Sequence, residues 1–167
     1  MKKIVAILIA AILAISATAF AATYVYDDIT FDYDENFFTI TTDDHTDDED
    51  LVILTDKNGG FVRIHLRDME DGETFPTAES IAQTVGVEVI AMDEWANFKN
   101  VLCYDLTGED SYYESVFIAP VYDDDENEID DILTINIGGP TIADEDAAIE
   151  SSDLTSEVVD TLRVVED

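Results

Sequence analysis

The chain has 167 residues, of which 40 are Asp or Glu and only 7 are Lys or Arg, giving a formal charge of −33. Nucleic acid and anionic lipid surfaces are excluded as partners, because both require a cationic patch. The charge leaves cations, basic proteins or a salt-rich medium, and the 47% of hydrophobic residues, spread over most of the chain, argue for a folded core rather than a disordered polyanion.

Residues 1–21, MKKIVAILIAAILAISATAFA, have the three parts of an export signal. Lys2 and Lys3 form a positive start, Ile4 to Ile15 an unbroken apolar run, and Ala19-Phe20-Ala21 a small-residue cleavage site. The expectation is cleavage after Ala21 and a secreted or extracytoplasmic domain. The alternative is an uncleaved N-terminal membrane anchor, since Ile4 to Ala22 just spans a thin bilayer when tilted. No Cys follows the apolar run, so lipid attachment there is not available. Cleavage leaves 146 residues, five basic against 40 acidic, and a charge of −35. That length suits one domain, residues 22–167.

The first part of that domain reads as β-structure. Tyr24, Tyr26, Ile29, Phe31 and Tyr33 alternate with polar residues at the period of a strand. Phe37, Phe38 and Ile40 extend the apolar supply, and Asp43 to Asp50 (DDHTDDED) reads as a solvated loop. Leu51–Thr55 and Phe61–Leu66 flank Asp56-Lys57-Asn58-Gly59-Gly60, in which Asn-Gly supplies the positive φ of a hairpin loop.

Asp68 to Phe75 is a polar loop, and Pro76-Thr77 then opens a short helix through Val85, with Thr77 as N-cap and Gly86 as stop. Val87–Met92 is a strand and Glu94–Asn100 a turn. Val101–Leu106, Tyr112–Tyr122 and Ile132–Ile137 are further strands, with an acidic loop at Asp123–Asp131 and a stop at Gly138-Gly139-Pro140. Asp144–Glu150 is at most a helical turn. Leu154, Val158, Val159 and Leu162 share a helix face, capped by Ser152 or Asp153. The sum is α+β: a curved antiparallel sheet packed with a mid-chain helix and a C-terminal helix.

This layout resembles the Mog1/PsbP-like α/β/α sandwich and its small exported members. The resemblance rests on Ile29-Thr30-Phe31-Asp32-Tyr33 running into Phe37-Phe38, on the hairpin from Leu51 to Leu66, on Asn97-Phe98-Lys99-Asn100-Val101-Leu102-Cys103-Tyr104, and on the ending from Ser156 to Val164. The Pro that family members commonly carry before the aromatic near Phe37 is absent. The resemblance implies a domain that binds or stabilises partners and is not an enzyme. It supplies no catalytic motif.

The chemistry-bearing residues divide into a few groups. Asp123, Asp125 and Asn127 open like a Ca²⁺-binding EF-hand loop, but Glu128 and Thr134 stand where the turn Gly and the bidentate Glu belong. Asp43 and Asp47 of the first acidic loop are the other metal candidates, and Ca²⁺ is the one cofactor they suggest. A solvated acidic stretch is the favoured reading of both loops. His45 and His65 lack transition-metal spacing, and His45 reads as a surface residue whose pKa is raised by its neighbours. Cys103, the single thiol, lies in an apolar strand and reads as structural. Trp95, Phe98, Tyr112, Tyr113 and Tyr122 either line a carbohydrate or peptide surface or, the favoured reading, close the sheet edge. No G-x-S-x-G or phosphate-cradling loop is present. The expectation is a secreted non-enzymatic binding or accessory domain whose ligand is unspecified. A Ca²⁺-dependent extracellular module is the first alternative and an exported hydrolase the second.

Overall fold

Strand alternation and turn chemistry build most of this chain. The computed structural model describes residues 21–26, 28–70, 72–107, 112–122 and 128–164. In chain order these form β1 (Ala21–Tyr26), β2 (Ile29–Asp34), β3 (Phe38–His45), β4 (Glu49–Asp56), β5 (Phe61–Asp68), α1 (Ala78–Val85), β6 (Ile90–Trp95), β7 (Phe98–Thr107), β8 (Tyr112–Tyr122), β9 (Ile129–Pro140), α2 (Glu145–Thr161) and β10 (Arg163–Val164). A seven-stranded sheet has the order β3-β4-β5-β9-β8-β7-β6, and a three-stranded one the order β1-β2-β10. Every strand pair is antiparallel. With two helices among the described residues and antiparallel sheet, the class is α+β.

The alternating pattern of the large sheet sorts its side chains onto two faces. On the inner face Val52, Leu54, Val62, Ile64, Leu133 and Ile135 are buried. They pack in one cluster with Ile29 and Phe31 of β2 and with Val158, Val159 and Leu162 at the end of α2. Burying each such side chain is worth about 1.5–3 kcal/mol, so this cluster carries most of the driving force for folding. Asn97, in the turn between β6 and β7, donates its amide to the carbonyls of Asp160 and Leu162 (2.8 and 3.2 Å), tying the far edge of the sheet to the end of α2.

Leu102, Val116 and Ile132 point the other way and are buried too, although none belongs to the inner cluster. The connection from β5 to β6 has to pass β9, β8 and β7, and it carries α1, whose Ile81 is buried. Thr77 caps α1 as expected: its hydroxyl accepts from the Ser80 N–H (3.2 Å), Ser80 answers at the Thr77 N–H (3.0 Å), and Gly86 ends the helix at φ 76°.

Four expectations are revised. The alternation from Thr23 to Tyr33 is two strands, β1 and β2, folded back so that Tyr24 faces Phe31. The stretch Asp43–Asp50 is not a solvated loop: β3 continues to His45 and β4 starts at Glu49, because the side chains of His45 and Asp50 turn inward and satisfy each other. Gly138-Gly139-Pro140 does not stop β9 but pairs with β8. A Cβ on Gly139 would lie 2.6 Å from the Cα of Gly60, so glycine here permits two backbones to touch. The C-terminal helix begins at Glu145, nine residues before its apolar stripe, capped by Asp144, which accepts from the Ala147 N–H at 2.9 Å.

Candidate functional site

A dense polar constellation lies where β1 meets the β3–β4 end of the large sheet. Asp43 and His45 share a face of β3 because they are two residues apart, and the register puts His45 opposite Asp50. His45 Nδ1 lies 2.7 Å from Asp50 Oδ1, and its Nε2 lies 2.7 Å from Asp43 Oδ1. From β1, the Tyr24 hydroxyl donates to the same Asp43 oxygen at 2.6 Å. The Tyr26 ring lies flat on the imidazole, with centroids 3.4 Å apart and planes 12° apart. An imidazolium donates from both nitrogens and satisfies both carboxylates; a neutral ring has one proton to give and leaves one carboxylate without a donor.

The titration of each group follows from this geometry. Burial pushes the His45 pKa down, but hydrogen bonds to Asp50 and Asp43, with their charges, outweigh it, and the net shift is upward. Hydrogen bonds from Tyr24 and His45 hold the Asp43 carboxyl below its ordinary range against a smaller effect of burial. The Tyr24 phenol is driven up by burial first, then by its bond to Asp43 and the charges of Asp43 and Asp50, so it stays protonated and donating.

This arrangement is a latch more than a reaction centre. Both ring nitrogens are taken, and the two carboxylates flank the imidazole instead of converging on a shared point. Among the described residues no group of three or more His, Cys, Asp or Glu is placed to hold a metal ion. Of the metal candidates, Asp43 is drawn into the latch and Asp47 is exposed in the turn between β3 and β4. Asp123, Asp125 and Asn127 lie outside the described residues. His45 is not a surface residue: its side chain is 11% exposed, because β1 covers it, although the upward direction of its pKa agrees with the sequence reading. Tyr24, Tyr26 and Asp50 were not singled out from sequence for this role; the pairing of Asp43 and His45 at two-residue spacing was the available signal.

The other groups fall out as follows. Cys103 is half-buried, and burial with the charge of Asp105 pushes its thiol pKa up, which keeps it protonated and unreactive. Trp95 stacks on Phe117 at 3.7 Å and Phe98 is buried, so both close the sheet. Tyr122 accepts from the Asn100 amide (2.9 Å), and Tyr113 is exposed. A cleft of about 470 Å³ is lined by Thr46, Asp48, Glu49, Arg67, Asp68, Met69 and Glu70. The cation that lines it is engaged, since the Arg67 fork donates to both carboxylate oxygens of Glu73 (2.6 and 3.0 Å). That fork, with the Glu70 N–H, lowers the Glu73 carboxyl to about 2.

The outer face of the large sheet differs along its width. Over β7, β8 and β9 it is covered, as Leu102, Val116 and Ile132 show. Over β4 and β5 the corresponding residues, Leu51, Ile53 and Thr55 with Phe61, Arg63, His65 and Arg67, all remain partly exposed. Strand alternation thus sets two of the five basic residues beyond Lys3 in one row, with a histidine between them. His65 pairs with Glu49 at 3.0 Å and Arg67 with Glu73, while among the described residues Arg63 has no hydrogen-bond or ion-pair partner.

Neither known protein-family models nor curated proteins give a match to this chain. Among the described residues no helix is long and apolar enough to cross a membrane.

Proposed function

We propose that residues 22–167 serve outside the cytoplasm as a non-enzymatic binding or accessory domain, released by cleavage after Ala21, with a Mog1/PsbP-like sandwich as its fold. The observation that carries the reading is the half-open strip on the outer face of β4 and β5. Leu51, Ile53 and Phe61 there are partly exposed around Arg63, and the inner core closes without them. A mixed apolar and cationic strip on a rigid sheet, on a surface otherwise dominated by acids, is suited to recognition. The sandwich is supported by buried layers on both sides of the large sheet, one containing α2 and the small sheet. Catalysis lacks comparable support, because the histidine with two carboxylate partners is spent on holding β1.

The experiment is affinity capture from the native extracellular fraction with residues 22–167 as bait, beside a Leu51→Glu/Ile53→Glu variant whose fold is checked by circular dichroism. A discrete partner held by the parent and lost by the folded variant is the expected result. Equal capture by both, or none by either, overturns the strip as the binding surface.

A further inference from the structure

The cation at the centre of the strip lacks what every other cation in the domain has. Lys57 reaches Glu150 at 2.8 Å, and Arg67 is forked onto Glu73. Arg163 donates to the carbonyls of Asp160 and Leu162, and Lys99 is also engaged. Arg63 alone, among the described residues, makes no hydrogen bond or ion pair, and its Nε is sealed from solvent without an acceptor. With 40 carboxylates in the chain, this isolation needs a local cause. Strand register supplies one. Arg63 faces Ile53 on β4 and Asn136 on β9, and its neighbours on its own strand face are Phe61 and His65. The diagonal positions on β4 are Leu51 and Thr55. None of these is acidic. Two strands away on this face lie Glu114, which accepts from the Asn136 amide at 2.6 Å instead, and Asp44, which stands opposite Leu51.

We propose that Arg63 is the anchor of a ligand subsite for a monocarboxylate carried on an apolar body, an assignment that rests on the strip being a binding surface. Only Nε of its guanidinium is sealed; the two terminal nitrogens remain open to solvent with no acceptor from the described residues, so a carboxylate brought from outside can take the place of water on them. Its planar fork fits a carboxylate through two parallel N–H···O bonds. The field of the whole molecule selects for low charge: a dianion such as phosphate meets twice the repulsion of a monoanion. Leu51, Ile53 and Phe61 offer the apolar ground on which the body of the ligand rests.

The test is NMR titration of the intact domain in about 0.3 M NaCl, where surface repulsion is screened. The probes are 4-phenylbutyrate, the uncharged 4-phenylbutanol and inorganic phosphate. The expected result is saturable shifts of the Arg63 side-chain N–H and of the Ile53 and His65 amides with phenylbutyrate. Affinity falls at least about tenfold with the alcohol, with phosphate, and in Arg63→Met, which keeps the apolar stem. Arg63→Lys, which keeps the charge but not the fork, binds between the two. A further arm, acetyl-leucyl-phenylalanine with a free carboxylate, distinguishes the source: tighter binding than phenylbutyrate points to a polypeptide C-terminus, weaker binding to a free acid. Absence of saturation at millimolar probe, equal affinity in Arg63→Met, or phosphate binding as tight as phenylbutyrate overturns the assignment. Partner capture that persists while phenylbutyrate fails sinks the carboxylate subsite alone, and the converse sinks the capture reading alone.

Discussion

A single imidazole joins β1, itself laddered to β2, to the β3–β4 end of the large sheet. Because the His45 pKa is raised on folding, its contribution to stability is complete below its ordinary value of 6.5 and is lost as pH rises through the folded value. Above that point one of Asp43 and Asp50 faces a ring nitrogen that has no proton to give. Asp43 sets the opposite limit: its depressed carboxyl contributes fully above its ordinary value of 3.8 and is lost as pH falls through the folded one. Replacing His45 with Gln removes the charge and one donor, and the expected loss is about 1–3 kcal/mol at pH 6, the cost of leaving a buried partner unsatisfied. Urea unfolding at pH 6 and pH 9 checks this. The parent midpoint drops between the two, whereas the variant begins lower and drops less; equal slopes would remove His45 from the latch.

The β4–β5 hairpin shows how an element is fixed both locally and from afar. The buried Asp56 carboxylate accepts from the backbone N–H groups of Asn58 (2.6 Å) and Gly60 (2.9 Å), closing a turn whose Gly59 sits at φ 87°. It also accepts from the Ser151 hydroxyl on α2 at 2.8 Å. Asp56→Ala leaves three donors without an acceptor and is expected to cost about 2–4 kcal/mol, against about 1 kcal/mol for Ser151→Ala, which removes only the donor from the helix. Chemical denaturation of the two variants and their combination checks the order, and the double variant should cost little more than Asp56→Ala because both act on one group. On α1, Thr77→Ala breaks a reciprocal cap and is expected to cost about 1 kcal/mol, read as a lower melting temperature. The turn and the cap were legible because Asn-Gly-Gly and Pro-Thr…Gly are local codes written over a few residues. The bond from Ser151 to Asp56 was not, since it joins residues 95 positions apart, and neither was the start of α2, whose first nine residues are acids and small side chains apart from Ile149 and carry no apolar stripe. The acidic run Asp43–Asp50 misled for a related reason. Its charges resemble a solvated loop until β1 arrives with Tyr24 and Tyr26 to cover His45, and that contact belongs to tertiary structure. Arg63 was present in the apolar strand pattern, but its isolation follows only from knowing that Ile53 and Asn136 are its neighbours.

At the scale of the whole molecule, repulsion among 40 carboxylates opposes compactness and is long-ranged, whereas the latch at His45 is short-ranged and partly buried. Salt separates the two. Raising ionic strength from about 0.01 M to about 0.5 M shortens the screening length from about 30 Å to below 8 Å, which suppresses the repulsion between surface charges and leaves a 2.7 Å buried contact largely intact. The melting temperature should therefore rise with NaCl and level off. Ca²⁺ and Mg²⁺ at matched ionic strength should raise it equally if the acidic stretches act only as a diffuse field; a shift specific to Ca²⁺ would instead reveal an oxygen-lined site and favour the Ca²⁺-dependent module. Acidification from pH 9 to pH 6 at low salt combines His45 protonation with a small reduction of net charge, and both stabilise. In 0.5 M NaCl the second effect is screened, so the pH dependence that remains above neutrality reports mainly on His45. His45→Gln should then flatten that slope in high salt while retaining the parent's rise in melting temperature with NaCl. A variant that loses the salt response along with the pH slope would show that the imidazolium acts through the field of the whole protein, and β1 would then be held by its ladder to β2 and by the stack of Tyr24 on Phe31 at 4.8 Å.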